Sequence, residues 1–167
     1  MVETLKAWWA RLYQLPLGKS LFTKLVSLLI PYTGSVSPKV LQVSAGYAKV
    51  SIADRRRVRN HLGSIHALAL ANLGEFTTGL AIHFAMKQNT RAILTRLSTD
   101  FFKKARGTIT AEASVDLPSD HEEGSVVVDA SLFDDRGNLV AKVSATWLVG
   151  KTGRSQHLEN LASISRN

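Results

Sequence analysis

The spacing of apolar residues predicts two helices at the start of the chain. They cover roughly residues 2–14 and 19–29, where apolar positions recur as on one face of a helix. Residues 16–18 separate the two, because this stretch combines proline and glycine, and Pro31 ends the second. Residues 34–38 are predicted to be a connector that leads into the rest of the chain.

The spacing of apolar and polar positions changes twice in the middle of the chain. Residues 40–52 alternate in polarity around Gly46, which predicts two strands or one bent strand with a bulge. Residues 64–86 are apolar on every side, which predicts a long buried helix with Ser64 as its N-cap. Such a helix needs cover on all sides, and one curved sheet supplies only part of it. We therefore expect a second subunit to pack alongside.

The second half predicts a series of antiparallel strands. Candidate strands are residues 91–102, 107–117, 124–134 and 139–151, with turns at residues 118–123 and 134–138. The second turn is rich in turn-forming residues and is a strong hairpin signal. The order indicates an α+β fold in which an antiparallel sheet wraps around one long central helix. We divide the chain into an N-terminal helical extension (1–33), a main domain (34–153) and a C-terminal tail (154–167).

Composition excludes several classes of protein. The chain has 167 residues, of which 45% are hydrophobic and 20% charged, and it is long enough for one domain with a sizeable core. It has no cysteine, which excludes disulfides and thiol-based metal sites or nucleophiles. No apolar stretch approaches the ~20 residues that a membrane helix needs. We also reject a signal peptide and expect a cytoplasmic location.

The charge balance favours anionic partners. The formal net charge is +8 and the pI is about 10.1, which attracts nucleic acid, anionic membrane surfaces and phosphorylated small molecules. Specific nucleic-acid binding ranks last, because the chain lacks aromatic interleaving and any docking motif. The predicted N-terminal helices mix apolar and basic residues, so they could contact a membrane or pack on their own domain.

One carboxylate, Glu75, lies in the middle of the apolar helix. A buried carboxylate without a partner costs several kcal/mol or has a raised pKa. Glu75 therefore needs either a partner, such as an arginine or a nearby hydroxyl, or a chemical role. It is the only carboxylate between Asp54 and Asp100, so it is the sole local candidate for a base or nucleophile.

The segment around this helix resembles a known family. The family pattern is Asn-x-x-Gly-x-x-His-Gly-Gly followed by a carboxylate nine residues after the His, and the four matching positions here are Asn60, Gly63, His66 and Glu75. The chain thus resembles the hotdog-fold acyl-CoA thioesterases, particularly the clade related to phenylacetyl-CoA-type thioesterases and its bacterial relatives. The resemblance covers roughly residues 40–150 and implies a hotdog fold for the main domain. The paired glycines are replaced by Ala67-Leu68, whose bulk narrows the pocket.

The resemblance implies hydrolysis of an acyl-CoA or acyl-carrier-protein thioester. In the family, the backbone N–H after the His polarises the thioester carbonyl from the helix N-terminus, where N–H groups are free. Ala67 retains that N–H, with His66 or Asn60 helping. Glu75 is the candidate base or nucleophile. No cofactor is implied, since coenzyme A is part of the substrate.

Other readings of these residues stay open. Glu75 could be a structural carboxylate, His66 a hydrogen-bonded residue at the helix start, and Asn60 a residue that only fixes the loop. Thr95 lies near the position where some relatives carry a water-orienting serine and is a further candidate. His61 and His83 are interpreted as structural or surface residues. The histidines lack partners at ligand spacing, so no metal site is predicted.

Helix geometry predicts a site shared between two subunits. Nine residues at about 100° each place His66 and Glu75 on opposite faces, ~13 Å apart along the axis. One subunit can hardly bring both to one small substrate, whereas two antiparallel helices related by a twofold axis can. We therefore expect a homodimer or a dimer of dimers. The resemblance implies the same arrangement.

Basic residues near the motif are candidates to hold the phosphates of coenzyme A. They are Arg57, Arg59, Lys103, Lys104 and Arg106. The alternative function is a non-catalytic acyl-CoA or lipid-binding protein, which the loss of the paired glycines favours.

Overall fold

The computed structural model describes residues 2–117 and 123–151. The elements in chain order are α1 (Val2–Leu12), α2 (Gly18–Leu29), α3 (Pro31–Val36), β1 (Lys39–Ser44), β2 (Tyr47–Ile52), a short 3₁₀ turn (Arg56–Val58), α4 (Ala67–Ala85), β3 (Thr90–Phe101), β4 (Ile109–Ser114), β5 (Gly124–Phe133) and β6 (Leu139–Lys151). The predicted turn at residues 118–123 lies almost wholly outside the described residues, and the predicted tail (154–167) lies entirely outside them.

The six strands form one antiparallel sheet in the order β1-β2-β4-β5-β6-β3. The alternation read from the sequence corresponds to the two faces of this sheet, since the buried residues of β4, β5 and β6 point towards α4. The sheet wraps around α4, as the order of elements predicted. Gly46, at φ +73°, forms the turn between β1 and β2, so residues 40–52 are two strands.

The central helix packs closely on the sheet at two glycines. A Cβ on Gly74 would lie 2.3 Å from Cγ2 of Val143 on β6, and a Cβ on Gly79 would lie 3.3 Å from the Trp147 ring. Gly74 is therefore required by close approach of the helix to β6. Leu73 and Ala81 on the same helix are fully buried in the core.

The N-terminal helices cover the side of α4 that faces away from the sheet. Trp9 of α1 packs against Phe22 of α2, with ring centroids 5.0 Å apart. Lys6 Nζ donates a 2.6 Å hydrogen bond to the carbonyl of Met86, the C-cap of α4. The cover expected from a second subunit thus comes in part from the chain itself. No helix in the described part of the chain is long and apolar enough to cross a membrane.

Two local predictions are wrong. The connector predicted at residues 34–38 is largely helical, because Pro31 occupies the N-terminal position of α3 as well as following α2. Ser64 is not the helix N-cap, since α4 begins at Ala67 with His66 as the cap. The chain is still extended at residue 65, where Ile65 pairs with Arg59 in an isolated bridge.

Candidate active site

Asn60 builds the loop that leads into α4. Its Oδ1 accepts hydrogen bonds from the backbone N–H groups of Leu62 (2.9 Å) and Ser64 (3.2 Å) and from the Ser64 hydroxyl (3.2 Å). Gly63, at φ +66°, donates its N–H to the Asn60 carbonyl at 3.2 Å. The Asn60 oxygen is therefore committed to the loop, and its amide nitrogen is left to interact with a ligand.

The first turn of α4 offers one free backbone donor. His66 Nδ1 accepts the N–H of Leu68 at 3.1 Å, and the His66 carbonyl accepts the N–H groups of Ala69 and Leu70. Within the described residues, the N–H of Ala67 has no acceptor. It lies at the positive end of the helix dipole, where developing negative charge is stabilised.

The hydrogen bond from Leu68 N–H to His66 Nδ1 determines which ring nitrogen of His66 can act as a donor. A ring whose Nδ1 accepts a hydrogen bond is neutral and carries its proton on Nε2. His66 is exposed and borders an open cavity of about 410 Å³ with Arg57, Arg59 and Leu68. The Nε2–H is thus available as a donor to a ligand in that cavity.

Glu75 borders a small apolar cavity between α4 and the N-terminal helices. The cavity has a volume of about 110 Å³. Its walls include Leu5 of α1, Val26 of α2, Leu80 of α4 and Trp147 of β6. No hydrogen bond or ion pair joins the Glu75 carboxylate to another residue of the described ranges. The nearby Thr78 hydroxyl donates to the main-chain carbonyl of Glu75 instead, at 2.8 Å.

Burial raises the pKa of the Glu75 carboxyl above its ordinary value. The cause is desolvation, because water is replaced by apolar walls and no cation compensates. A carboxyl group with a raised pKa is a better base once it is ionised. Glu75 has no partner for its carboxylate among the described residues, as expected for a residue with a chemical role. The alternative, a carboxylate paired with a neighbouring cation, is not seen among these residues.

His83 borders the same cavity and was interpreted from sequence as structural or surface. Its Nδ1 lies 2.6 Å from the carbonyl of Gly79, its ring packs edge-on against Trp147, and burial lowers its pKa. A neutral ring that donates from Nδ1 to a carbonyl leaves Nε2 as an acceptor. The signal was available in the sequence, since His83 lies eight residues after Glu75, on nearly the same helix face.

Asn72 and Thr33 join the central helix to α3 beside Glu75. Asn72 Nδ2 donates to the Thr33 hydroxyl at 3.2 Å, and both residues are buried. Asn72 Oδ1 is buried and has no hydrogen-bond partner among the described residues. Thr33 was not predictable as part of this site, because nothing in the surrounding sequence indicates which helix packs against α4.

The predicted site residues border separate cavities in a single chain. His66 lies at the cavity shared with Arg57 and Arg59, and Glu75 lies at the apolar one. Asn60 and Ala67 border a third cavity of about 350 Å³, together with Lys103 and Lys104. One chain therefore holds the donor end and the carboxylate apart, as the nine-residue spacing predicted.

The basic residues predicted to hold the phosphates of coenzyme A differ in their ion pairs. Arg59 Nε lies 2.6 Å from Asp54 Oδ1, and this contact lowers the pKa of Asp54. Lys103 lies 3.5 Å from Asp134. Arg57 and Lys104 make no ion pair with a described residue and face the two larger cavities. Arg106 is exposed and borders none of these three cavities.

Thr95 borders none of the three cavities described above. It is exposed on β3 at an irregularity between Leu94 and Arg96, and its hydroxyl donates to the Thr146 carbonyl at 3.1 Å. Among the described residues, no three acidic or histidine side chains come together as a metal site requires.

Comparisons with known proteins give a family and a fold. The family model described as Domain of unknown function (DUF4442) matches residues 18–149. No curated protein matches the chain. Similar solved structures include the structural genomics protein APC5556, which is 25% identical with a TM-score of 0.77; the match covers 90% of this chain and 97% of that one.

Two further structures are similar at lower identity. PA5026 from Pseudomonas aeruginosa, a protein of unknown function and probable thioesterase, is 21% identical with a TM-score of 0.69; the match covers 82% of this chain and 97% of that one. The thioesterase HI1161 from Haemophilus influenzae is 12% identical with a TM-score of 0.68; the match covers 80% of this chain and 93% of that one.

Proposed function

Since the chain belongs to the DUF4442 family and has the hotdog fold, we propose that it hydrolyses acyl thioesters. The observation that carries this proposal is the unpaired Glu75 carboxylate, held at an apolar cavity with a raised pKa. Such a group activates water for attack on a carbonyl. The fold was predicted from the sequence and is confirmed by the similar structures.

The substrate carbonyl needs donors that stabilise its developing negative charge. The free N–H of Ala67 at the start of α4 supplies one such donor, and the Nε2–H of His66 or the amide nitrogen of Asn60 supplies a second. Water attacks the carbonyl carbon as Glu75 takes its proton, and the thiolate leaves as the tetrahedral intermediate collapses. Protonated Glu75 then returns that proton to the leaving sulfur, because a thiolate is a stronger base than a carboxylate.

The site is completed by a second subunit in this proposal. Glu75 and the helix start border separate cavities of one chain, so the carboxylate of one subunit acts beside the Ala67 turn of its partner. Strand β3 supports a dimer, because it is twelve residues long and forms an edge of the sheet. Its apolar side chains Leu97 and Phe101 are exposed in the single chain. Unprotected edges of this kind pair with another strand.

Coenzyme A is the carrier that the surface charge favours. Arg57 and Lys104 are free to bind its phosphates, whereas Arg59 is engaged by Asp54. The acyl group enters apolar surroundings, which favour aliphatic or aromatic acids. An acyl-carrier protein remains the second carrier of this proposal, and the cytoplasm remains the predicted location.

The direct experiment is hydrolysis of acyl-CoA esters of increasing chain length by the purified protein. We expect Glu75→Gln and Glu75→Ala to lower kcat by about 10²–10⁴-fold, the range for loss of a general base. Unfolding curves of the same variants serve as the control for folding. Full activity in both variants would eliminate the proposed role of Glu75.

A second function, binding of acyl-CoA without turnover, is favoured by the small number of free backbone donors at the start of α4. Leu68 is 63% exposed beside the free N–H of Ala67, and its own N–H is occupied by His66. Only one backbone donor is thus left for a carbonyl. Tight binding of a CoA thioether with no hydrolysis of the corresponding ester would select this function.

A further inference from the structure

Helix α2 presents an apolar stripe to solvent. Leu21 is 48% exposed and Leu28 77%, and with Lys24 they share one face of the helix. Leu17, the N-cap that precedes the helix, is 83% exposed. We call these four residues the α2 stripe. The opposite face, with Phe22 and Val26, is buried in the core. The stripe is therefore not an incompletely packed core face, because α2 already has one.

The chain holds the first leucine of the stripe outward in an unfavourable conformation. Leu17 has φ +62°, in the left-handed region that a bulky side chain rarely occupies. Gly18 follows it, and a Cβ there would collide with the Leu12 carbonyl. The tight turn between α1 and α2 thus directs Leu15 and Leu17 into solvent, which is typical of a contact surface.

The charges around the stripe are of one sign. Between Glu3 and Asp54 the chain contains no acidic residue, but it contains Lys6, Arg11, Lys19, Lys24, Lys39 and Lys49. Lys24 is exposed within the stripe, while Lys19 is exposed in the first turn of α2 on the other side of the helix and Arg11 is exposed at the end of α1. Leucines flanked by lysines on a short helix are typical of segments that lie in the plane of a membrane surface.

This charge pattern argues against a second copy of the chain as the occupant. At a twofold interface the stripe would meet its own copy, which would bring Lys24 close to the same lysine of the other copy. No carboxylate of residues 4–53 is available to pair with them, and like charges across an interface are repelled. Anionic headgroups compensate the lysines while the leucines enter the acyl region.

We propose that the α2 stripe docks the protein on an anionic lipid surface. The leucines insert at the boundary between headgroups and acyl chains, and Lys24 binds a headgroup phosphate. The long stem of Lys24 allows its ammonium to reach the headgroups while its carbon chain lies among the leucines. The proposal requires no turnover, so its test is independent of the thioester chemistry.

The test is flotation of the full chain with vesicles of phosphatidylcholine, with and without phosphatidylglycerol. We expect binding only to the anionic vesicles. The triple variant Leu17→Gln, Leu21→Gln, Leu28→Gln should lose at least tenfold in vesicle partitioning, because it removes the apolar area that enters the membrane. The matched control replaces exposed apolar residues of the sheet, Ile93→Gln, Val127→Gln and Leu148→Gln, and should lose less than twofold.

A charge-matched pair separates a site from general attraction. Lys24→Gln should weaken binding by about fivefold, whereas Lys87→Gln, which changes the net charge equally, should not. Equal losses in the two lysine variants, or in both apolar triples, would overturn the proposal. Failure of the wild-type protein to bind anionic vesicles would also overturn the proposal. This holds whether sedimentation then shows self-association through the leucines or the leucines are found to bind an acidic carrier protein.

Discussion

The proton affinity of Glu75 couples the stability of the protein to pH. Burial raises its pKa, so the folded state binds this proton more tightly than the unfolded state does. This contribution to stability is fully present below the ordinary glutamate pKa and is lost as the pH rises through the raised folded pKa. An ionised Glu75 is thus the less stable form of the fold and the more active form of the site.

Glu75→Gln should therefore be more stable than the wild-type protein at neutral pH. The free energies of unfolding should converge below the ordinary glutamate pKa, where both side chains are neutral, and separate as the pH rises. Urea unfolding at a series of pH values measures this. Parallel curves for the two proteins would contradict the burial of an unpaired carboxyl group.

Ala67→Pro tests the free backbone donor. Proline has no backbone N–H and is well tolerated in the first turn of a helix. The preceding His66 is extended at ψ 141°, as a residue before proline prefers. We expect kcat for an acyl-CoA ester to fall by about 10²–10³, with little loss of stability. Ala67→Gly, which retains the N–H, should keep most of the activity and is the control.

Asn60 separates a structural role from a chemical one. Asn60→Ala removes the acceptor of three hydrogen bonds and should lower the free energy of unfolding by about 1–3 kcal/mol. Asn60→Asp keeps the acceptor oxygen but loses the amide donor, so it should retain the loop. If its kcat nevertheless falls a hundredfold while its stability is unchanged, Asn60 is a donor to the substrate as well as a loop residue.

At the level of elements, the contact between α4 and β6 depends on glycine at one position. Gly74→Ala would place its Cβ 2.3 Å from Val143 and should destabilise the fold by about 1–3 kcal/mol through overpacking. Gly79→Ala meets the Trp147 ring at 3.3 Å and gains helix propensity of about 1 kcal/mol, so it should be close to neutral. Thermal unfolding of the two variants makes the comparison; equal losses would contradict this account.

The elements themselves were largely predictable from local patterns. Alternation located the strands, and the apolar run located α4, because each depends on which residues face the core. The start of α4 was not predictable in the same way. Ser64 is a good N-cap by type, but Asn60 binds its N–H and hydroxyl and keeps it in the loop. Cap preference is a local property that this tertiary contact overrides.

At the level of the molecule, the cover of α4 could not be read from periodicity. An apolar helix face indicates that it is covered, but it does not indicate whether the cover comes from the same chain or from a second subunit. The sequence predicted a second subunit there, and the structure brings α1–α3 of the same chain to part of that face, through Leu5, Val26 and Thr33. For the same reason, the nine-residue spacing of His66 and Glu75 was predictable, whereas the cavity around Glu75 was not.

A mixed dimer tests whether the site is shared. One subunit carries Glu75→Gln and the other Ala67→Pro, and both homodimers should be inactive. In the heterodimer one of two sites regains both wild-type groups, so the rate per dimer should recover to about half of the wild-type rate. If each chain instead held a complete site, every site would carry one defect and the heterodimer would stay inactive.

The hydrogen bond from Lys6 to the end of α4 has a consequence for the chemistry of a distant group. It fastens α1 beside the Glu75 cavity, where Leu5 forms part of the wall. A chain shortened to begin at Gly18 would leave that wall open and admit water to the carboxyl group. The pKa of Glu75 would then fall towards that of free glutamic acid. Helix α1 contacts no reacting atom, but it would thus determine how strong a base Glu75 is.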